Sequence, residues 1–290
     1  MSNLGLIIAE RSRDIGDFLV GRLIPFRKKR MIGPFVFIDH MGLTELGPTK
    51  YMDVDQHPHI GLSTVTYMLE GGIIHEDSIG TQQRITPGSV NLMVAGKGVS
   101  HTERTPKDLR HGQTFKFHGY QIWIALPKIK EDCSPEFHHI EAALLPQWEE
   151  GSAKFKLIAG EGYGRTSPVP AHSPLFMIEI KNTLEFELNT KDHLKGEIGI
   201  CIVEGSINTC GDVVGKGNIL VFKIENTYKT VLNANAHLLL FGGLPLPEER
   251  HIYWNFVSSS TEKNEIAKKA WNNRLFPMMG NDLSFVSLPN

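Results

Sequence analysis

The feature that most constrains this chain is a succession of short β-branched and aromatic runs, each stopped by glycine or another turn residue. "GPFVFIDHMG", "LSTVTYMLEGG", "SVNLMVAGKGVSH", "GYQIWIALP", "LFMIEIKN", "LEFELNT", "GEIGICIVEGSI", "NILVFKI" and "AHLLLFGGLPL" all have this form. Such side chains suit a pleated, half-buried surface, and the residues between them suit turns. Helical periodicity is nearly absent between the runs. Many short strands at regular spacing close into sandwiches or barrels. With 290 residues, 41% of them hydrophobic, the chain can fill one large or two medium domains. The expected fold class is all-β, built as two β-barrels with a short C-terminal helix.

Two segments depart from the strand pattern. "HIEAALLPQW", residues 139–148, is a short helical candidate cut by Pro146. "SSTEKNEIAKKAWNNRLF" is a stronger one. Ser259 and Glu262 have capping-box spacing, and Ile266, Ala267, Ala270 and Trp271 share one face. The charged stretch over residues 128–152 lacks strand alternation and reads as a connection between two β-domains. The boundary is expected at 135/136, giving domains 1–135 and 136–290. The second half loosely echoes the strand and glycine-turn order of the first.

Charge and cysteine usage exclude some classes. A formal net charge of −2 provides no basic field, so nucleic acid is not expected as a direct partner. Cys133, Cys201 and Cys210 are few and unpatterned, which points to a reducing compartment without a disulfide framework. The N-terminal stretch lacks the basic start, long apolar segment and cleavage site of a secretory signal. No run approaches the roughly 20 apolar residues of a membrane-spanning helix. A cytoplasmic protein with no membrane partner is expected. No coiled-coil pattern occurs, and a monomer is the expected state.

The chemistry concentrates in "DQHPHIG", residues 55–61. On an extended strand, residues two apart point to the same face, so the His57 and His59 imidazoles can converge on one ion. Pro58 cannot donate to a ladder, which places this stretch at a strand end or sheet edge. Gly61 allows a close backbone approach. A second pair, His101 and Glu103, has the same spacing in "GKGVSHTER". A single His-x-His pair is a weak signal. A second pair separated by two hairpin-like turns is stronger, because the strands can then lie side by side. Three imidazoles and one carboxylate would meet inside a barrel. His75, beside Glu76 and Asp77, reads as a solvated or structural residue near a turn. His111, His118, His138 and His139 read as solvated or structural, and His193 and His237 are isolated.

"GPFVFIDHMG", "HPHIGLSTVTYMLEG", "TPGSVNLMVAGKGVSHTE" and "YQIWIALP" resemble the pirin family of the cupin superfamily, with little interruption over residues 30–127. "LLLFGGLPLPEERHIYWNFVSSS" and the following helix resemble the family's second domain. The resemblance implies a bicupin with one metal ion in the N-terminal barrel and a metal-free second barrel. It implies His57, His59, His101 and Glu103 as the ligands. This donor set favours a first-row divalent ion, with Fe(II) expected first and Mn, Ni, Cu, Co or Zn able to use similar ligands.

The resemblance further implies a quercetin 2,3-dioxygenase-like oxidoreductase. In that chemistry O₂ adds to a flavonol anion and the central ring opens with loss of carbon monoxide. Glu103 is the expected base for the 3-hydroxyl. Phe37, Met93, Val94 and Trp123 are candidates to line a cavity for a planar aromatic substrate, each set against an ordinary core role. His40 is either a neighbour of the site or a turn residue. A second reading also follows from the family: an iron-dependent, redox-sensing regulator that binds a transcription factor or a metabolic enzyme. The basic run from Arg27 to Arg30 is either a surface for such a partner or a solvated loop.

Overall fold

The structure is a computed structural model that describes residues 4–15, 19–110, 112–209, 211–222, 230–280 and 282–289. His111 and Cys210 lie outside the described residues. The chain is all-β, and the one α-helix among the described residues is Thr261–Asn272. It is a bicupin. Its two compact units are each assembled from separate pieces of chain. One holds Met1–Arg11, Gly21–Phe37 and Ala143–Leu246; the other holds Ser12–Val20, Ile38–Ala142 and Pro247–Asn290. Gly21–Phe37 groups with Ala143–Leu246, and Pro247–Asn290 groups with Ile38–Ala142.

The unit containing Ala143–Leu246 has an antiparallel sheet in the order Leu4–Ala9, Asn218–Phe222, Glu197–Glu204, His237–Gly243, Leu175–Asn182, Ala153–Gly162 and Gln147–Glu150, and a second, four-stranded sheet. Its core is hydrocarbon: Phe155, Leu157, Phe176, Ile178, Ile200, Leu220, Leu238 and Leu240 are among the buried side chains. Each such residue contributes roughly 1.5–3 kcal/mol when fully buried. His193 stacks on Tyr163 with ring centroids 4.5 Å apart. His237 lies 2.8 Å from Glu179, on a carboxylate that also pairs with Lys156 and Lys181. In the basic run, Lys29 pairs with Glu197 at 2.5 Å, while Arg27, Lys28 and Arg30 are exposed around a tight turn.

The other unit positions the histidine pairs. One sheet orders Asp53–His59, Val99–Arg104, Ile73–Asp77 and Gln82–Ile85. Another contains Glu136–Ile140, Val90–Val94, Leu62–Glu70 and Phe115–Ala125 as successive neighbours. The strand Asp53–His59 is an edge strand, as Pro58 requires. The C-terminal segment covers that edge: the Gln56 N–H donates to Ser284 Oγ, and the Val286 N–H donates to the Gln56 carbonyl. The Gln56 side chain is buried and accepts from the Ser100 hydroxyl and the Met279 N–H. Gly61 follows immediately with φ +67°, and a Cβ there would fall 1.9 Å from the Val257 carbonyl oxygen. Only glycine tolerates both the dihedral and the contact.

Three local expectations differ from the structure. Residues 139–148 are not helical. Glu136–Ile140 pairs with Val90–Val94, and Gln147–Glu150 pairs with Ala153–Gly162, so the stretch read as a connection carries two strands. Pairing partners far along the chain override the weak local preference. At the helix start the N-cap is Ser260, without a side-chain cap. Ser259 instead donates from its N–H and hydroxyl to the buried Glu131 carboxylate at 2.7 and 3.0 Å. Ile266 is 60% exposed, and the buried helix face is Asn264, Ala267 and Trp271.

Candidate metal centre

The strand Val99–Arg104 organises the site because it has a partner on each side. Against Asp53–His59, His101 lies opposite His57 and Val99 opposite His59. Against Ile73–Asp77, His101 lies opposite Asp77 and Glu103 opposite His75. Residues two apart share a face, so three adjacent strands aim His57, His59, His101, Glu103, His75 and Asp77 into one interior. A register shift between His101 and Glu103 marks a bulge in the pairing with Asp53–His59.

The imidazoles of His57, His59 and His101 form one group whose nearest ring nitrogens all lie within 4.8 Å of one another. Nε2 of His59 and Nε2 of His101 face each other at 3.1 Å. The His57 Nδ1–H donates to the Asp55 carbonyl at 2.8 Å, which leaves its Nε2 with a lone pair. Glu103 belongs to a second group, with His75 and His101, under the same 4.8 Å limit. The two groups share His101. Glu103 is thus beside the three-imidazole group, held by Thr66 and Gln121. The Thr66 hydroxyl lies 3.0 Å from Oε1, and the Gln121 amide donates to Oε2 at 3.0 Å.

Burial sets the charge states. It lowers the pKa of His59 and His101 well below the ordinary imidazole value, with neighbouring imidazoles adding to the effect. It lowers His57 from 6.5 to about 4, against a partly offsetting hydrogen bond to Asp55. Neutral imidazole is the ligating form. Burial pushes the Glu103 carboxyl up, opposed by His75, Thr66 and Gln121. Burial would also raise Asp77, but hydrogen bonds from His75 and Thr81 outweigh it and hold that group ionised.

The His57 shift carries a pH dependence with a defined sign. The unfolded chain takes up its proton near 6.5 and the folded chain only near 4. Between those values the unfolded state binds more protons, so stability falls as pH falls through that window. From this residue alone the metal-free protein should be about 2 kcal/mol less stable at about pH 5 than at about pH 7. Urea denaturation at the two pH values checks this, and coincident midpoints would refute it.

The donor set fits a divalent first-row ion. Two neutral ring nitrogens this close need a proton or a cation between them. Two imidazole ligands at about 2.0–2.1 Å in adjacent octahedral positions would themselves be about 3 Å apart. His57, His59 and His101 would hold the ion, with the Glu103 carboxylate in the adjoining group that shares His101.

Four contributors escaped the sequence reading: His75, Asp77, Thr66 and Gln121. His75 is buried, with Nε2 at 2.9 Å from Asp77 and Nδ1 at 3.2 Å from His101 Nδ1. Of the solvated and structural alternatives, burial within the strand Ile73–Asp77 excludes the solvated one. The i, i+2 spacing of His75 and Asp77 is the same signal that marked the other two pairs. His118 is also buried, with Nε2 3.0 Å from Nε2 of His40, whose ring stacks on Tyr120. His138 lies 3.0 Å from Glu136, and His139 lies against Asn91 and Glu141. Of the proposed cavity residues, Trp123 sets its ring edge-on to His59 with centroids 5.1 Å apart. Met93 packs with Ala95, Val99 and Phe137, and Val94 is fully buried. Phe37 belongs to the other unit, with the Arg22 guanidinium 4.5 Å above its ring.

Comparison with known proteins agrees with this architecture. The Pirin family matches residues 18–124, and the Pirin C-terminal cupin domain matches residues 175–277. A pirin-like protein of Caulobacter vibrioides is 40% identical over 274 residues, covering 92% of this chain and 93% of the relative. A Pseudomonas aeruginosa protein provisionally named a quercetin 2,3-dioxygenase is 37% identical, covering 91% and 82%. A crystal structure of quercetin 2,3-dioxygenase from Acinetobacter baumannii superposes with a TM-score of 0.90 at 33% identity, covering 98% of this chain and 95% of that one. On the fold, the paired cupin domains and these relatives, the chain belongs to the pirin family.

Proposed function

We propose that this protein is a metal-dependent dioxygenase that opens the central ring of quercetin-type flavonols, with Fe(II) held by His57, His59, His101 and Glu103. The observation that carries the reading is the group of three buried, neutral imidazoles with a carboxylate in the adjoining group. The likeness to proteins named for this activity supports it. When bound, the ion supplies a place where O₂ and an organic anion meet.

The protein's own part is to take and hold the proton of the flavonol 3-hydroxyl. Hydrogen-bond accounting favours Glu103 for this role. The Thr66 hydroxyl has one proton and faces two acceptors, Glu103 Oε1 at 3.0 Å and Gln121 Oε1 at 2.8 Å. While Glu103 is ionised, that proton satisfies only one of them. Once Oε1 is protonated it donates to Thr66, Thr66 donates to Gln121 Oε1, and Gln121 Nε2 donates to Glu103 Oε2. The ring then has a donor for every acceptor, so the clasp accommodates the proton that the reaction releases. Trp123, beside His59, offers an apolar wall for a planar ring system.

Anaerobic reconstitution with each first-row divalent metal, followed by oxygen uptake and loss of flavonol absorbance on adding quercetin, tests the proposal. Metal-dependent turnover that disappears in His57→Ala is the expected result. Stoichiometric metal binding without turnover would overturn the enzyme reading. The weight would then move to a redox-sensing regulator whose protein partner distinguishes Fe(II) from Fe(III).

A further inference from the structure

The environment of His101 is ordered by a chain of donors that begins in the turn after Asp77. The N–H groups of Ile79 and Thr81 donate to Asp77 Oδ1 at 3.1 and 2.9 Å. Oδ2 is left for His75 Nε2, 2.9 Å away. A carboxylate only accepts, so the His75 proton sits on Nε2 and its Nδ1 is an acceptor. That Nδ1 lies 3.2 Å from Nδ1 of His101, which must then be the donor. The remaining nitrogen of His101, Nε2, keeps a lone pair, and it is the atom that faces His59. Asp77, His75 and His101 are 4%, 2% and 0% exposed, so water cannot take the place of any link. The Phe137 ring packs against His75 with centroids 4.6 Å apart.

We propose that Asp77 and His75 are positioning residues that lock His101 in its Nδ1–H tautomer and thereby set the affinity of the metal centre. The inference rests on the metal reading above and extends it to residues outside the ligand set. A buried imidazole and carboxylate are costly to desolvate, and a hydrocarbon pair of similar size would fill the same space. The return is orientation. His101 cannot rotate or exchange tautomers without breaking its bond to His75.

Asp77→Asn inverts the relay without changing its shape. Ile79 and Thr81 still require an oxygen acceptor, so the Asn oxygen turns to them and its NH₂ turns to His75. His75 Nε2 must then accept, its Nδ1 carries the proton and donates to His101, and the His101 proton is driven to Nε2. His75→Asn is the control, because its side-chain oxygen can replace Nδ1 as the acceptor for His101.

Two readouts test this. Long-range ¹⁵N correlation spectra of the metal-free protein report which His101 nitrogen is protonated. Competition with a chromophoric chelator for Co(II) reports affinity. Wild type and His75→Asn should show Nδ1–H and bind Co(II) within a few-fold of each other. Asp77→Asn should show Nε2–H and bind roughly 10- to 100-fold more weakly. Wild-type affinity in Asp77→Asn, equal losses in both variants, or Nε2–H on His101 in the wild type would each overturn the lock. Absence of Co(II) binding by the wild type would instead sink the metal reading, while the spectra still decide the tautomer.

Discussion

Glu103→Gln should lower quercetin turnover roughly 100- to 10,000-fold, the range expected when a positioned general base is removed. Metal content should fall far less, because three imidazoles remain. The amide keeps the size of the carboxylate and a carbonyl acceptor for Thr66, but it cannot take the proton of the flavonol hydroxyl. Its NH₂ would also face the Gln121 amide, which now donates to Oε2. Steady-state rates alongside metal analysis on the same sample separate the two effects. Turnover at the wild-type rate would end the base assignment. Proportional loss of metal and turnover would make Glu103 a ligand and nothing more.

Glu131→Ala should cost the fold about 3–5 kcal/mol, the cost of leaving one member of a buried ion pair alone. Arg250 and Glu131 are 0% and 1% exposed in their side chains and approach to 3.3 Å. The Arg250 guanidinium also donates to the Leu126 carbonyl and to the carbonyls of Glu248 and Glu249. Glu131 collects Ser258 Oγ, Ser259 N and Ser259 Oγ at the entrance to Thr261–Asn272. Losing it strands a charge and removes the acceptor that receives the helix. The melting temperature should drop on the order of 10 °C. The double variant Glu131→Leu/Arg250→Met should recover much of the loss, since an apolar pair strands nothing. A single variant that melts with the wild type would refute the account.

Much of the architecture was legible because its signals are local. Each strand run carries its own β-branched residues and its own glycine stops. Pro58 announced an edge strand, and the edge is where it lies. The His57–His59 and His101–Glu103 spacings were readable because strand periodicity fixes which side chains share a face. Partner choice across long separations was not readable. His75 looked like a solvated or structural residue near a turn because nothing local shows that its strand pairs with Val99–Arg104. Ser259 and Glu262 have the spacing of a capping box, but Glu131, over 120 residues earlier, takes the serine. The strands within residues 128–152 were hidden for the same reason. Their sequences are charged, and their partners supply what local propensity does not.

The covering of the His57 strand by the C-terminal segment has a consequence for biosynthesis. Chain leaves the ribosome at about 5–20 residues per second. Arg250, and Met279, Ser284 and Val286, which bond to Gln56, are therefore made roughly 7 s or more after His101. Until then Glu131 has no guanidinium, Gln56 is unsatisfied, and the edge beside the metal donors is open. A nascent chain paused in the second cupin would hold His57, His59 and His101 beside an uncovered edge, accessible to whichever ion or chaperone reached them first. For a centre held by these histidines, ion selection would be a matter of timing as well as of ligand chemistry, because Arg250, Met279 and Val286 arrive well after the strands they seal.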